Sequence, residues 1–211
     1  MVAKTFRWVL ASVVGAALAA ASLTSANAAD QKQIARGKYL VTIGGCNDCH
    51  TPGAMTGGPD FQQTLGGSNV GFAIPGLGVF VGRNLTPDPE TGLGKWTTQQ
   101  IITAFTTGKR PDGRMLAPIM PWEGLSHLTK SDAQAMAAYL KSLPPVKHAV
   151  PGPFGPNETP TTLVMAIVPG QVYASMPKPP PPGAGGPPGG GPPGAGGPPG
   201  GAPPAGGPPR P

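Results

Sequence analysis

Residues 46–50 read Cys-Asn-Asp-Cys-His, and Cys46 and Cys49 are the only two cysteines in the 211-residue chain. No other short run restricts the fold as strongly. Two thiols with two residues between them, followed at once by an imidazole, form the attachment pattern of haem c. Each thiol can add across one vinyl group, and the two-residue gap matches the separation of those vinyls. His50 then falls beneath the iron as proximal ligand. A chain carrying this motif must fold around a large, flat, apolar body.

Three rival readings of the motif are weaker. A thioredoxin-like redox pair needs a βαβ setting that the flanking residues do not offer. A zinc site needs further Cys or His ligands, and only His127 and His148 remain, each isolated. A disulfide closing a loop of two intervening residues would constrain almost nothing.

The second axial ligand sets the chemistry. A thioether opposite the histidine stabilises ferrous iron and raises the potential, which suits electron transfer. The candidates are the methionines in the second half of the chain: Met115, Met120, Met136, Met165 and Met176. Met136 belongs to a helical apolar stripe, and Met165 lies in an apolar segment. Met120 stands between Pro118 and Pro121 in a stiff loop, where the following proline biases it away from helix. Its sulfur loses little entropy when fixed, so Met120 is preferred, with Met115 as runner-up. His127, at a helix entry, and His148, in a Pro-flanked connector, read more simply as surface histidines.

Around the motif, Asp30 and Gln33 open a first helix over Gln31–Ile43, with Ile34, Leu40 and Val41 on the face that also carries Gly37. Residues 51–95 are Gly- and Pro-rich, with weak strand signals at Gly71–Ile74 and Val79–Val81. So long a stretch without a helix either wraps something bulky or holds a small hairpin. Thr97 with Gln100 caps a second helix closed by Gly108, and Trp96 with Ile101 forms a hydrophobic staple. Thr129 with Asp132 starts a third helix that ends at Ser142, with Met136, Tyr139, Leu140 and Leu143 on one face. Thr161–Val168 reads as a strand or a strap.

The two ends differ from this middle. Lys4 and Arg7 precede an apolar stretch from Trp8 to Leu23, and Ala26-Asn27-Ala28 offers a cleavage site, so 1–28 reads as a bacterial secretory signal peptide. The stretch is shorter than the roughly 20 residues of a spanning helix, and no transmembrane span is expected in the mature chain. Residues 177–211 hold 16 Pro and 13 Gly with four Ala as their only apolar residues, which predicts a disordered tail. Residues 29–176 hold all nine acidic residues against 11 of the 15 Lys and Arg, leaving a charge of only +2. That balance excludes a dedicated nucleic-acid binder. The division expected is a signal peptide over 1–28, a monohaem domain over 29–146, a strap or linker over 147–176 and the tail.

With these residues in view, the chain resembles class I cytochromes c over about Asp30–Val146. It looks closest to the haem modules of periplasmic cytochrome subunits serving alcohol, aldehyde and gluconate dehydrogenases. The resemblance is carried by Ala35-Arg36-Gly37-Lys38-Tyr39-Leu40, the 46–50 motif, Asn84-Leu85-Thr86-Pro87-Asp88 and Thr91-Gly92-Leu93-Gly94-Lys95-Trp96. It continues through Arg110-Pro111-Asp112-Gly113-Arg114, Met120-Pro121-Trp122 and Ala138–Pro145. It implies an all-α cytochrome c fold, three main helices around one covalent haem c, with a long Gly/Pro-rich loop. It also implies that the methionine of the Met-Pro pair binds iron and that the first and last helices pack together, with Gly37 opposite Tyr139. Such subunits usually carry three haem modules, whereas this chain has one motif.

The site expected is therefore Cys46, Cys49, His50 and Met120, with His50 and Met120 as the iron ligands and no catalytic residues. Asn84, Trp96, Arg110 and Arg114 are possible propionate partners, though surface arginines need no such role. The function expected is a periplasmic one-electron carrier between redox protein partners. The alternatives are an electron-accepting subunit of a dehydrogenase and a five-coordinate haem sensor or peroxidase.

Overall fold

The computed structural model describes residues 30–177; the signal-peptide expectation and nearly all of the Pro/Gly tail lie outside these residues. Three helices dominate: α1 over 30–43, α3 over Thr98–Thr107 and α5 over Lys130–Ser142. The motif itself is a single turn, α2, over Cys46–His50, and a short α4 spans Trp122–Leu125. α3 begins with a reciprocal cap: the Thr97 hydroxyl accepts from the Gln100 N–H, and the Gln100 side chain accepts from the Thr97 N–H. Gly108 closes it in the left-handed conformation at φ 73°. At the start of α5, Thr129 Oγ1 accepts from the Asp132 N–H.

α1 and α5 meet where Gly37 lies. A β-carbon at that position would overlap the Ala135 carbonyl and approach Tyr139 Cβ to 2.8 Å, so only a glycine admits this backbone approach. The contact is fastened at the surface by Arg36 Nε donating to Asp132 Oδ1 at 2.9 Å. Below it, Val41, Leu65, Ile101, Phe105, Ala133, Met136, Ala137 and Leu140 form the buried core. Met136 is thus core, as its helical spacing predicts.

All-α is too narrow a description. The 51–95 stretch contains two short 3₁₀ turns, Ala54–Thr56 and Phe61–Gln63, then a hairpin of β1 (Val70–Ile74) and β2 (Gly78–Val81). β3 (Leu163–Ala166) pairs parallel with β1, giving the order β2-β1-β3. The hairpin falls at the weak strand signals of 71–74 and 79–81. The parallel partner joins segments some ninety residues apart, which local pattern cannot announce.

The strap before β3 is tied to the body of the domain. Val79 and Phe154 exchange both backbone hydrogen bonds at 2.9 Å. Val146 O accepts from Asn84 Nδ2 at 2.7 Å, and the His148 N–H donates to Thr91 Oγ1 at 3.1 Å. A final helix, α6 (Gly170–Ser175), belongs to a second compact unit that starts at Val168.

Candidate haem site

Gly44 and Gly45 end α1 and turn the chain into α2, which brings Cys46, Cys49 and His50 to one wall of a cavity of about 750 Å³. That volume is in the range of cofactor sites. Most of its lining is apolar, including Val41, Phe72, Phe80, Leu85, Ile101, Phe105, Met136 and Leu140. Met120 and Met115 both line it. Met120 is half-buried and packs against the core, whereas Met115 is 56 % exposed. His127 and His148 are not among the lining residues; His127 is exposed, and His148 Nδ1 is engaged with the Gly66 carbonyl at 2.8 Å.

His50 is fixed in a defined chemical state. Its Nδ1 lies 2.6 Å from the Arg83 carbonyl oxygen, which can only accept, so Nδ1 carries the hydrogen and Nε2 keeps its lone pair. This is the arrangement of a metal-binding imidazole whose second nitrogen is oriented by an outer partner. Burial pushes the imidazole below its ordinary pKa, against the opposing pull of the Arg83 hydrogen bond. The ring is therefore neutral at neutral pH, as a ligand must be. The approach of the two segments depends on Gly82: a β-carbon there would overlap the Cys49 carbonyl.

The rival readings of the motif find no support in this geometry. Cys46 and Cys49 are not disulfide-bonded, and burial raises both thiols above their ordinary value, the reverse of an activated redox pair. Among the described residues, no cluster of three or more His, Cys, Asp or Glu could hold a metal ion such as structural zinc.

Asn84 and three arginines are polar residues of the lining with different uses. Asn84, 1 % exposed, is wholly engaged within the protein. Its Nδ2 donates to Thr91 Oγ1 and Val146 O, and its Oδ1 accepts from the Thr86 N–H and Oγ1–H at 2.9 and 2.7 Å. It is a structural knot with nothing left for a propionate. Arg83, Arg110 and Arg114 form a cluster of three cations on the lining. Asp112 pairs with Arg110 at 3.3 Å and Arg114 at 2.7 Å, and the Arg114 hydrogen bond holds its carboxyl down to about 2. Arg110 also stacks over Trp96 at 5.7 Å, and its Nε is buried with no hydrogen-bond partner. Buried guanidinium donors require an acceptor.

These features fit haem c. The cavity is large and apolar, two thiols and one correctly protonated histidine share a wall, and an orphaned cationic donor answers the carboxylates of the group. Arg83 and the strap residues Gly152 and Pro153, which also line the cavity, were not anticipated from sequence. The one available signal was Gly82, because a glycine at a strand end often marks a close backbone approach.

Comparison with known proteins agrees. A sequence model of the cytochrome c family matches residues 34–144. The cytochrome c subunit of the quinone alcohol dehydrogenase of Gluconacetobacter polyoxogenes is 36% identical over 122 residues, covering 58% of this chain and 24% of the relative. The fructose dehydrogenase cytochrome subunit of Gluconobacter japonicus is 33% identical over 133 residues, 60% of this chain and 26% of the relative. The gluconate 2-dehydrogenase cytochrome c subunit of Pantoea cypripedii is 32% identical over 142 residues, 67% and 30% respectively. The chain thus spans about a quarter to a third of the length of these relatives. With more than half of its residues matched, Cys46, Cys49 and His50 among them, the chain belongs to the cytochrome c family, whose members transfer electrons.

Proposed function

We propose that this chain carries single electrons on one haem c, attached through Cys46 and Cys49 with His50 and Met120 as axial ligands, as the electron-accepting cytochrome subunit of a periplasmic dehydrogenase. What supports the ligand set is that all four residues line one cavity, with Nε2 of His50 left free for iron. One haem follows from one motif, because the chain has no further cysteine.

When bound, haem c supplies reversible one-electron chemistry between ferrous and ferric iron. The protein's part is to hold and shield it. Cys46 and Cys49 would anchor it, the Arg83 carbonyl orients His50, and the apolar lining would keep water from the iron. Met120 sits in a turn in which its N–H donates to Ala117 O at 2.9 Å and its carbonyl accepts from the Trp122 N–H at 2.8 Å. That turn limits the freedom its side chain loses on ligation. Iron held by both His50 and Met120 would leave no open position for a substrate, unlike the five-coordinate sensor or peroxidase.

The choice between a free carrier and a subunit rests on the relatives, which are named as cytochrome subunits of alcohol, fructose and gluconate dehydrogenases. They favour the subunit. Periplasmic placement rests on the leader over 1–28, and no helix of the described residues is long and apolar enough to cross a membrane.

The test is to produce the full chain with its leader in a host that matures c-type cytochromes. The expected product lies in the periplasm, has the polypeptide mass plus one haem, and co-purifies with a larger dehydrogenase subunit in its native host. A stable monomer reduced freely by several unrelated donors would point to the free carrier instead.

A further inference from the structure

We infer that Arg83 is a positioning residue that clamps the strap over 150–153 against the rim of the cofactor cavity, making a segment beyond the family-matched region part of this chain's redox site. The inference rests on the haem reading above.

Arg83 acts through both its backbone and its side chain. Its carbonyl oxygen accepts from His50 Nδ1, while its guanidinium reaches the strap. Nη1 donates to Val150 O at 2.5 Å, and Nη2 donates to Gly152 O. Both strap carbonyls are thus held by one planar fork, a geometry that lysine cannot reproduce. Gly152 and Pro153 are exposed yet line the cavity, so they form its rim. The next residue but one after Gly152, Phe154, is bridged to Val79 of β2, which limits how far the strap can drift once the fork is broken.

The charge pattern explains why the fork is directed at carbonyls. Arg83 shares the lining with Arg110 and Arg114, whose carboxylate partner is Asp112. Repelled by two cations, Arg83 is satisfied by two strap carbonyl dipoles. Its charge is spent on closing the rim. Because burial and solvent access are levers on haem potential, a strap held at the rim keeps the site drier and the potential higher.

The experiment uses the full-length holoprotein with Arg83→Lys and Arg83→Leu, each compared with wild type by limited proteolysis and redox titration. Arg83→Lys keeps the charge and loses the fork, so it separates strap closure from simple electrostatics. Cleavage within 147–162 is expected to accelerate roughly tenfold in Arg83→Lys, and further in Arg83→Leu, because proteolysis follows the opened population. The reduction potential should fall in both variants while the ferric ligand spectrum stays unchanged. If Arg83→Leu does not accumulate, Arg83→Lys alone decides. Wild-type cleavage rate and potential in a haem-loaded Arg83→Lys would overturn the clamp and leave the haem reading intact. A wild-type chain that matures without covalent haem would overturn both.

Discussion

The Nδ1 of His50 stands 2.6 Å from the carbonyl oxygen of Arg83, thirty-three residues away in sequence. This contact fixes His50 in the tautomer that a metal-binding imidazole needs. It exists because Gly82 has no side chain to keep the strand end off the Cys49–His50 turn. The attachment motif, the hairpin and the strap therefore meet at one peptide.

Gly82→Ala tests that meeting point. A β-carbon overlapping the Cys49 carbonyl forces the two segments apart, and overpacking of this kind costs about 1–3 kcal/mol. The expected result is a lower urea midpoint together with a weakened His50–Arg83 hydrogen bond, seen as a changed Nδ1 proton resonance.

Gly37→Ala should reverse the ordinary helix preference. In an exposed helix interior the change stabilises by about 1 kcal/mol. Here the new methyl overlaps the Ala135 carbonyl, so the variant is expected to lose about 1–3 kcal/mol, measured by denaturant unfolding.

Asn84→Leu should be among the most damaging changes outside the haem ligands. It orphans the Thr86 N–H and removes the Nδ2 donor from Val146 O, in a site 1 % exposed. With an unpaired buried group worth about 1–3 kcal/mol, a loss of roughly 3–5 kcal/mol is expected. The strap should loosen with it, since Val146 immediately precedes that segment.

Asp88 gives a pH dependence of known sign. Its carboxylate accepts from the Thr91 hydroxyl at 2.7 Å, from the Thr91 N–H at 2.6 Å and from the Glu90 N–H at 3.1 Å. These bonds hold its folded pKa below the ordinary aspartate value, the Thr91 hydroxyl contributing most. The folded state then binds the proton less readily than the unfolded chain. The stabilisation is whole above the ordinary value and is lost as pH falls through the lower, folded one. Asp88→Asn should flatten that acid limb of the thermal midpoint against pH and leave its slope near neutrality unchanged.

Local chemistry made much of this molecule legible before its structure. The cap at Thr97, the stop at Gly108, the stripe through Met136 and the 46–50 motif all lie within a few residues of their causes. The close-packing role of Gly37 followed from its place on an apolar face. The contacts that complete the site are different in kind. Arg83 reaches His50 and the strap across 33 and 67 residues, and β3 finds β1 across the whole domain. No periodicity marks such pairings, because they are chosen by what the folded surfaces leave unpaired. Asn84 shows the opposite lesson: a polar residue in a family motif was free to be a cofactor contact, and the structure spends it on two backbone groups and two threonine hydroxyls.

The most direct test of the central claim is the ferric optical spectrum of the purified holoprotein, compared among wild type, Met120→Ala and Met115→Ala. Both methionines line the cavity, so the comparison is between two available thioethers. Ligation by His50 and Met120 predicts a thioether-to-iron charge-transfer band in wild type, kept in Met115→Ala and lost in Met120→Ala with a fall in reduction potential. A band that survives Met120→Ala, or disappears in Met115→Ala, would contradict it.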